Sequence, residues 1–248
     1  MTEAGAGAAG GSAAAAGPAG PAGDGGPHAF VADLESPQLT DVDRHHFERV
    51  VRLRPGDPFT VSDGEGGWRA CRFGDEVEVV SGIEHLARPA PSVTVAFALV
   101  KGERPEWVTQ KLTELGVDTI VPFTAARSVV RWDERKAAAN RDRLERVARE
   151  AAMQCRRCWL PVVAPVAAFD RVAALPGAVR ADRGGLPLTL ATPTVLVGPE
   201  GGWTDDERGA LPAVGLGVHV LRADTAAVAA GTLLAALRAG LVAPAGPA

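Results

Sequence analysis

Two glycine-bearing stretches hold the residue types best suited to chemistry. In the first, Val195-Leu196-Val197 breaks into Gly198-Pro199-Glu200-Gly201-Gly202, followed by Trp203-Thr204-Asp205-Asp206-Glu207. An apolar strand that opens into glycines and then starts a helix places a ligand at the carboxyl end of an open α/β sheet. Thr204 with Glu207 three residues on predicts a capping box, and the glycines let backbone approach a ligand closely. Such loops commonly cradle phosphates through backbone N–H groups. Here Glu200 sits in the loop, Asp205 and Asp206 open the helix, and no lysine follows, so a polyphosphate meets repulsion. A neutral or cationic ligand fits that charge better, a purely structural turn being the competing reading.

The second stretch is Gly215-Leu216-Gly217-Val218-His219-Val220-Leu221-Arg222-Ala223-Asp224-Thr225-Ala226. Its spacing predicts a short strand over Val218–Leu221, then a helix whose polar start, Asp224 or Thr225, serves as N-cap. Two strand-to-helix loops side by side at one sheet edge supply backbone donors and acceptors around an adenine, and a sulfonium such as that of S-adenosylmethionine suits the first loop. Elsewhere, Cys155 and Cys158 form a C-x-x-C pair. With Cys71 as the only further cysteine, a closed four-ligand zinc site cannot be assembled, and no metal is expected.

Basic residues crowd one stretch, from Arg127 and Arg131 through Arg135, Lys136, Arg141, Arg143, Arg146 and Arg149 to Arg156 and Arg157. Interleaved Asp142, Glu145 and Glu150 allow a helix laced with ion pairs, and the net charge of −4 argues against a non-specific nucleic-acid binder.

The elements that must position these residues fall into blocks. Residues 1–27, rich in Ala, Gly and Pro, read as a disordered tail without the basic start and apolar run of a secretory signal. Residues 28–88 read as a small β domain. His28–Asp33 forms a strand and Thr40–Arg54 a helix. Phe59–Ser62 and Trp68–Phe73 form a hairpin about Asp63-Gly64-Glu65-Gly66-Gly67, and Glu76–Val80 adds a strand. Ala87-Arg88-Pro89-Ala90-Pro91 makes a stiff linker. Residues 89–248 alternate strands (Val93–Val100, Thr119–Phe123, Thr194–Val197) with helices (Pro105–Leu115, Asp133–Cys155, Asp224–Leu237), which predicts a mostly parallel sheet covered on both faces. Leu144, Val147, Ala151 and Cys155 are expected to line the buried side of the second helix. The closing helix is apolar nearly all round over Ala226–Leu237 and must be buried on every side, a homodimer offering the second cover. No apolar run reaches the roughly 18 residues of a membrane span, and the odd, sparse cysteines fit a reducing cytoplasm.

From Phe30 onward the chain resembles the ribosomal RNA small subunit methyltransferase E family, enzymes of the SPOUT class. The resemblance rests on His45-His46, Val50-Val51-Arg52, Lys101-Gly102, Gln110-Lys111-Leu112-Thr113-Glu114-Leu115-Gly116-Val117, Arg127-Ser128, Gly198-Pro199-Glu200-Gly201-Gly202 and Leu221-Arg222-Ala223-Asp224-Thr225-Ala226, in order. It implies an α/β SPOUT domain with a deep trefoil knot, an N-terminal PUA-like β-barrel for RNA, a homodimer, and methylation of N3 of a uridine in 16S ribosomal RNA. The knot follows from the resemblance alone, since general rules of chain topology would exclude it. Carried over by motif, Val197, Gly198, Glu200, Gly201, Gly202, Leu216, Gly217, Leu221, Arg222, Thr225 and Ala226 would hold S-adenosylmethionine. His45, His46, Arg52, Arg127, Arg131 and Arg157 would face RNA. Arg157 would stabilise the uracil anion and Glu200 accept its proton, although Glu200 could equally stabilise its own loop. Met153 and Trp159 depart from the family pattern, and Asp224 stands for a commoner Glu. Rival readings are another SPOUT enzyme acting on transfer RNA or a ribose hydroxyl, and a ribosome-assembly RNA-binding protein without methyl transfer.

Overall fold

The computed structural model describes residue 21 and residues 26–243. The expected disordered tail therefore lies outside the described residues except at positions 21, 26 and 27, where the Pro27 carbonyl already accepts from the Thr60 amide at 2.9 Å.

The N-terminal block is a five-stranded sheet. β1 (His28–Phe30) leads to α1 (Asp41–His46), capped by the Thr40 hydroxyl, which continues into a π-helical turn, Phe47–Val51, closed by Arg52 in the left-handed region. β2 (Pro58–Ser62) and β3 (Gly67–Arg72) form the expected antiparallel hairpin, and β4 (Glu78–Val79) and β5 (Glu84–His85) both pair with β3. Phe47, Phe59 and Phe73 meet edge to face at centroid distances of 5.5–6.3 Å and fill the core. His28 is buried between the Thr60 and Ser62 hydroxyls, each 2.8 Å from a ring nitrogen. Burial, with Arg156 and Arg149 nearby, lowers its imidazole to about 4, so it stays neutral.

The C-terminal block is a seven-stranded sheet with every pairing parallel. In chain order come β6 (Thr94–Ala98), α2 (Arg104–Glu114), β7 (Thr119–Thr124), α3 (Glu134–Gln154), β8 (Val162–Val163), β9 (Ala167–Ala168), α4 (Phe169–Ala173), β10 (Ala178–Pro187), β11 (Thr194–Val197), α5 (Asp205–Ala210), β12 (Ala213–Gly215) and α6 (Ala223–Arg238). The spatial order is β12-β10-β11-β6-β7-β8, with β9 also on β7. The apolar runs of β6, β7 and β11 are buried on both faces. Val108, Leu112, Ala227, Ala230 and Leu234 of α2 and α6 cover one face, while Phe123, Val172, Trp203 and Leu211 fill the other.

Several expectations need correction. Val218–Leu221 is not a strand: Val218 and Val220 are 85% and 74% exposed, and the pairing strand is β12, whose Val214 is buried against β10. Neither β10 nor the short β8, β9 and α4 were expected. On α3 the buried side is Leu144, Ala148, Ala151 and Ala152, so Val147 and Cys155 stand a step off the seam. Neither Asp224 nor Thr225 caps α6, because Arg222 occupies the N-cap position and Asp224 instead accepts the Thr225 amide. Within one chain α6 buries one face only: Gly231 meets Leu112 so closely that a Cβ there would lie 2.5 Å from Leu112 Cδ2, while Val228, Ala229 and Leu233 stay half-buried.

The two blocks are stapled together. Arg149 of α3 donates to Asp43 and to the Phe30 carbonyl and lies 5.6 Å from the Phe30 ring. Trp159 packs over Gly66, donates from Nε1 to the Leu86 carbonyl at 3.1 Å, and carries Arg88 on its face at 5.2 Å. Met153, the other departure from the family pattern, packs against the N-terminal core.

Candidate functional site

The middle of β10, the carboxyl end of β11 and the segment after β12 enclose a cavity of about 440 Å³, within the range of roughly 300–1,000 Å³ usual for small-ligand sites. Val197, Gly198, Pro199, Glu200, Gly202 and Trp203 form one wall, Leu216, Gly217, His219, Val220, Leu221, Arg222, Ala223 and Ala226 a second, and Ala181, Asp182 and Arg183 a third. Of the residues expected to hold a ligand, only Gly201 and Thr225 are not on its surface. Gly201 turns toward Arg127, with a Cβ there 3.1 Å from that residue's Cβ and carbonyl oxygen, and Thr225 points outward on the first turn of α6.

The loop's shape follows from its residues. Gly202 takes φ +69°, a conformation that L side chains rarely adopt. At Gly198 a Cβ would fall 2.8 Å from the Trp203 indole, which is itself stacked on Phe123 and hydrogen-bonded through Nε1 to the Ala181 carbonyl at 3.0 Å. The expected capping box is present, Thr204 accepting from the Glu207 amide and the Glu207 carboxylate from the Thr204 amide at 2.9 Å. Glu207 is buried, and its other oxygen accepts the Ala126 amide at 2.8 Å, so the same carboxylate ties the glycine loop to the turn after β7. Arg104 spans the two glycine-bearing segments, 3.4 Å from Glu200 and 3.6 Å from Asp224.

Sequence reasoning missed Asp182, Arg183, Trp203 and Arg104. The first two lie on an unrecognised strand. The signal for Trp203 was its place beside the glycines, and Arg104 follows the Lys101-Gly102 pair already singled out.

Arg157 requires a larger correction. Its guanidinium donates to the Val117 carbonyl at 2.7 Å, to the Thr113 carbonyl and to Asp118 at 3.1 Å, and Asp118 also receives Arg238. Burial lowers its pKa and Asp118 opposes that effect. Asp118 precedes β7 at the amino ends of the strands, level with Thr94 and Thr194. The glycine loop leaves the other end, about 13 Å away at ~3.3 Å per residue. The segment Cys155-Arg156-Arg157 is drawn there by Asp118, so Arg157 does not reach the cavity of its own chain.

The other residues expected to face RNA fall in two places, the turn after β7 and the α1 region. Arg127 lies against Gly201, donating to its carbonyl at 3.3 Å, and Arg131 reaches the Ala126 carbonyl at 3.4 Å. His45, His46 and Arg52 are exposed on α1 and just past the π-helical turn, away from the cavity. Burial raises the thiols of Cys71 to about 11, of Cys158 to about 12, and of Cys155 in the same direction, so these cysteines are held as thiols. Among the described residues no cluster of three or more His, Cys, Asp or Glu side chains is arranged to hold a metal ion, and no helix is long and apolar enough to cross a membrane.

Comparison with known proteins places this geometry. The RNA methyltransferase domain family matches residues 88–235, a span that takes in both glycine-bearing segments. The chain is 36% identical to the ribosomal RNA small subunit methyltransferase E of Synechocystis over 217 residues, 76% of this chain and 69% of that one. This chain belongs to the ribosomal RNA small subunit methyltransferase E family. The Bacillus subtilis member is 30% identical over 76% of this chain and 85% of its own. Among solved structures, the Neisseria gonorrhoeae methyltransferase E bound to S-adenosyl methionine superposes with a TM-score of 0.72 at 26% identity, over 86% of this chain and 98% of that one. A Legionella pneumophila protein with the same cofactor bound gives 0.73 at 25% identity, over 84% of this chain and 96% of that one. These family members extend beyond the RNA methyltransferase domain across the N-terminal sheet as well.

Proposed function

We propose that this protein methylates N3 of a uridine in 16S ribosomal RNA of the small subunit, taking the methyl group from S-adenosylmethionine bound in the glycine-loop cavity. The observation that carries the reading is the convergence of the two glycine-bearing segments on one cavity at the carboxyl ends of the strands, in a chain of this family. The cavity's chemistry fits that molecule. Glycine backbone and apolar walls at Val197, Leu216 and Leu221 suit an adenine, and the half-exposed carboxylate of Glu200 suits a cation.

When bound, S-adenosylmethionine supplies an electrophilic methyl carbon on its sulfonium. The protein's task is to hold the uracil N3 in line with that carbon and to take away its proton. Glu200, on the cavity wall and half-exposed, accepts the N3 proton as the N3 lone pair forms the new bond to carbon. The carbon–sulfur bond breaks with its electron pair kept by sulfur, giving N3-methyluridine and S-adenosylhomocysteine. Arg104, paired with Glu200, is positioned to donate to the developing uracil anion, the role first expected of Arg157.

In this reading residues 28–88 form a PUA-like barrel that grips RNA through His45, His46 and Arg52, and residues 89–248 form a SPOUT domain with a trefoil knot. Arg127 and Arg131 contact RNA beside the cavity, the half-buried face of α6 is covered by a second copy in a homodimer, and the protein works in the cytoplasm. The test is incubation with methyl-labelled S-adenosylmethionine and unmodified small subunits, followed by nucleoside mass spectrometry. Labelled N3-methyluridine supports the reading. Label on another nucleoside moves the target, and no label despite measured donor binding overturns it.

A further inference from the structure

A second cavity, of about 800 Å³, opens in the C-terminal block, with Arg131 on its rim. It lies between the turn after β7, the first turns of α3 and the Pro165–Ala168 segment, also at the carboxyl ends of the strands. Small side chains hold it open: Ala125, Ala126, Ala137, Ala138, Ala167 and Ala168 stand where larger residues would close it. Trp132 is the one aromatic side chain on its wall, and it is half-buried.

Two cations and two anions share the rim. Arg131 makes only a long contact to a carbonyl, and Arg141 makes an exposed pair with Glu145 at 2.9 Å of the kind that contributes little, so both guanidiniums can turn to a phosphate. Glu134 and Asp142 are exposed carboxylates on the same wall. Carboxylates are pure acceptors, so they favour a base carrying an exocyclic amino group, which uracil lacks. An indole, guanidiniums and carboxylates around an alanine-lined slot are the complement of an unstacked nucleotide.

The position ties this slot to the methylation site. Arg127 lies against Gly201, and the Ala126 amide is held by Glu207 in the first turn of α5, so the glycine loop is tied to the turn that lines the second cavity. We propose that this second cavity receives a nucleotide with an amino-bearing base from the same RNA strand, splayed onto Trp132 while the neighbouring uridine enters the glycine-loop site. The inference rests on RNA being the substrate.

The experiment uses the full chain saturated with S-adenosylhomocysteine, so that adenine cannot enter the first cavity, and labelled single-stranded oligo(A), oligo(C) and oligo(U). Fluorescence anisotropy should show oligo(A) and oligo(C) binding more tightly than oligo(U). Trp132→Ala, and Ala138→Glu as a cavity-filling change at an exposed helix position, should each weaken oligo(A) about tenfold. Both variants should keep S-adenosylhomocysteine affinity and raise the KM for small subunits with little change in kcat. RNA affinity and KM unchanged in both variants overturn the proposal, as does equal binding of oligo(U) by the wild type. A wild type that transfers no methyl group to subunits, yet loses oligo(A) binding in both variants, sinks the proposed function and leaves the nucleotide slot standing.

Discussion

Glu200 and Arg157 show how a side chain's neighbours decide its task. Glu200 stands on the cavity wall, paired with Arg104, and the proposed proton transfer depends on that carboxylate. Glu200→Gln keeps the shape and removes the base, so kcat for subunits should fall about a hundredfold or more, while S-adenosylmethionine affinity measured by calorimetry holds. A loss of donor affinity with kcat intact would assign Glu200 to its loop instead. Arg157 is the opposite case. Its donors are spent on two carbonyls and a buried carboxylate that keeps Arg238 as a second partner, so Arg157→Met should cost about 1–3 kcal/mol of stability in urea titrations, as removing a donor from buried acceptors does, and leave kcat per folded molecule unchanged. The sequence displayed an arginine in the family's place but not Asp118, which is 39 residues away and brought alongside only by the packing of α2, α3 and β7. The glycine loop was legible because its neighbours in space are mostly its neighbours in sequence.

Elements whose side chains report their surroundings were legible for the same reason. The runs of β6, β7 and β11 are apolar because both faces are covered, and the Thr204–Glu207 box marks the start of α5 by local chemistry alone. β10 was not legible, because Arg180, Asp182, Arg183, Gly184 and Gly185 have the composition of a loop. Gly185 is there because the backbone of Val214 on β12 lies 2.4–2.6 Å from where its Cβ would be, the close approach that a strand glycine signals. Gly185→Ala should push β12 away, lowering stability by about 1–3 kcal/mol and weakening S-adenosylmethionine binding, since β12 leads directly into the cavity's second wall. Normal donor affinity in this variant would show that the wall is set by α6 alone. β1 carries a prediction of a different kind. His28 titrates near 4 in the fold and near 6.5 in the unfolded chain, so on acidification the unfolded chain takes up the proton first. Its contribution is full above about 6.5, declines between there and 4, and is gone below, a total of about 3 kcal/mol. Because carboxylates titrate in the same window, the readout is the difference between wild type and His28→Gln in urea midpoints from pH 7 to 4, which should shrink toward low pH.

At the scale of the molecule, the N-terminal sheet and the block that carries the glycine-loop cavity are joined in the chain by a short linker yet are packed against each other at fixed points. The linker Ala87–Pro91 sets their proximity, while Trp159 and Arg149 fix their orientation. The Trp159 ring presses on Gly66 of the β2–β3 hairpin, its Nε1 holds the Leu86 carbonyl, the next residue's amide bonds to Gly64 at 2.9 Å, and Arg88 covers the outer face. Gly66, at φ +98°, offers the indole a surface that any side chain would block. A residue that reads in the sequence as a departure from its family is therefore one of the staples between the two blocks, beside Arg149. Because it lies outside the cavity, Trp159→Ala should leave S-adenosylmethionine affinity unchanged. In the proposed function the RNA touches both blocks at once, so loosened alignment should lower kcat/KM for intact small subunits between about tenfold and a hundredfold. Short oligonucleotides that occupy only the C-terminal block should bind as they do to the wild type. An equal loss on short and long substrates would mean that the indole supports the C-terminal block itself, and the orientation argument would fail.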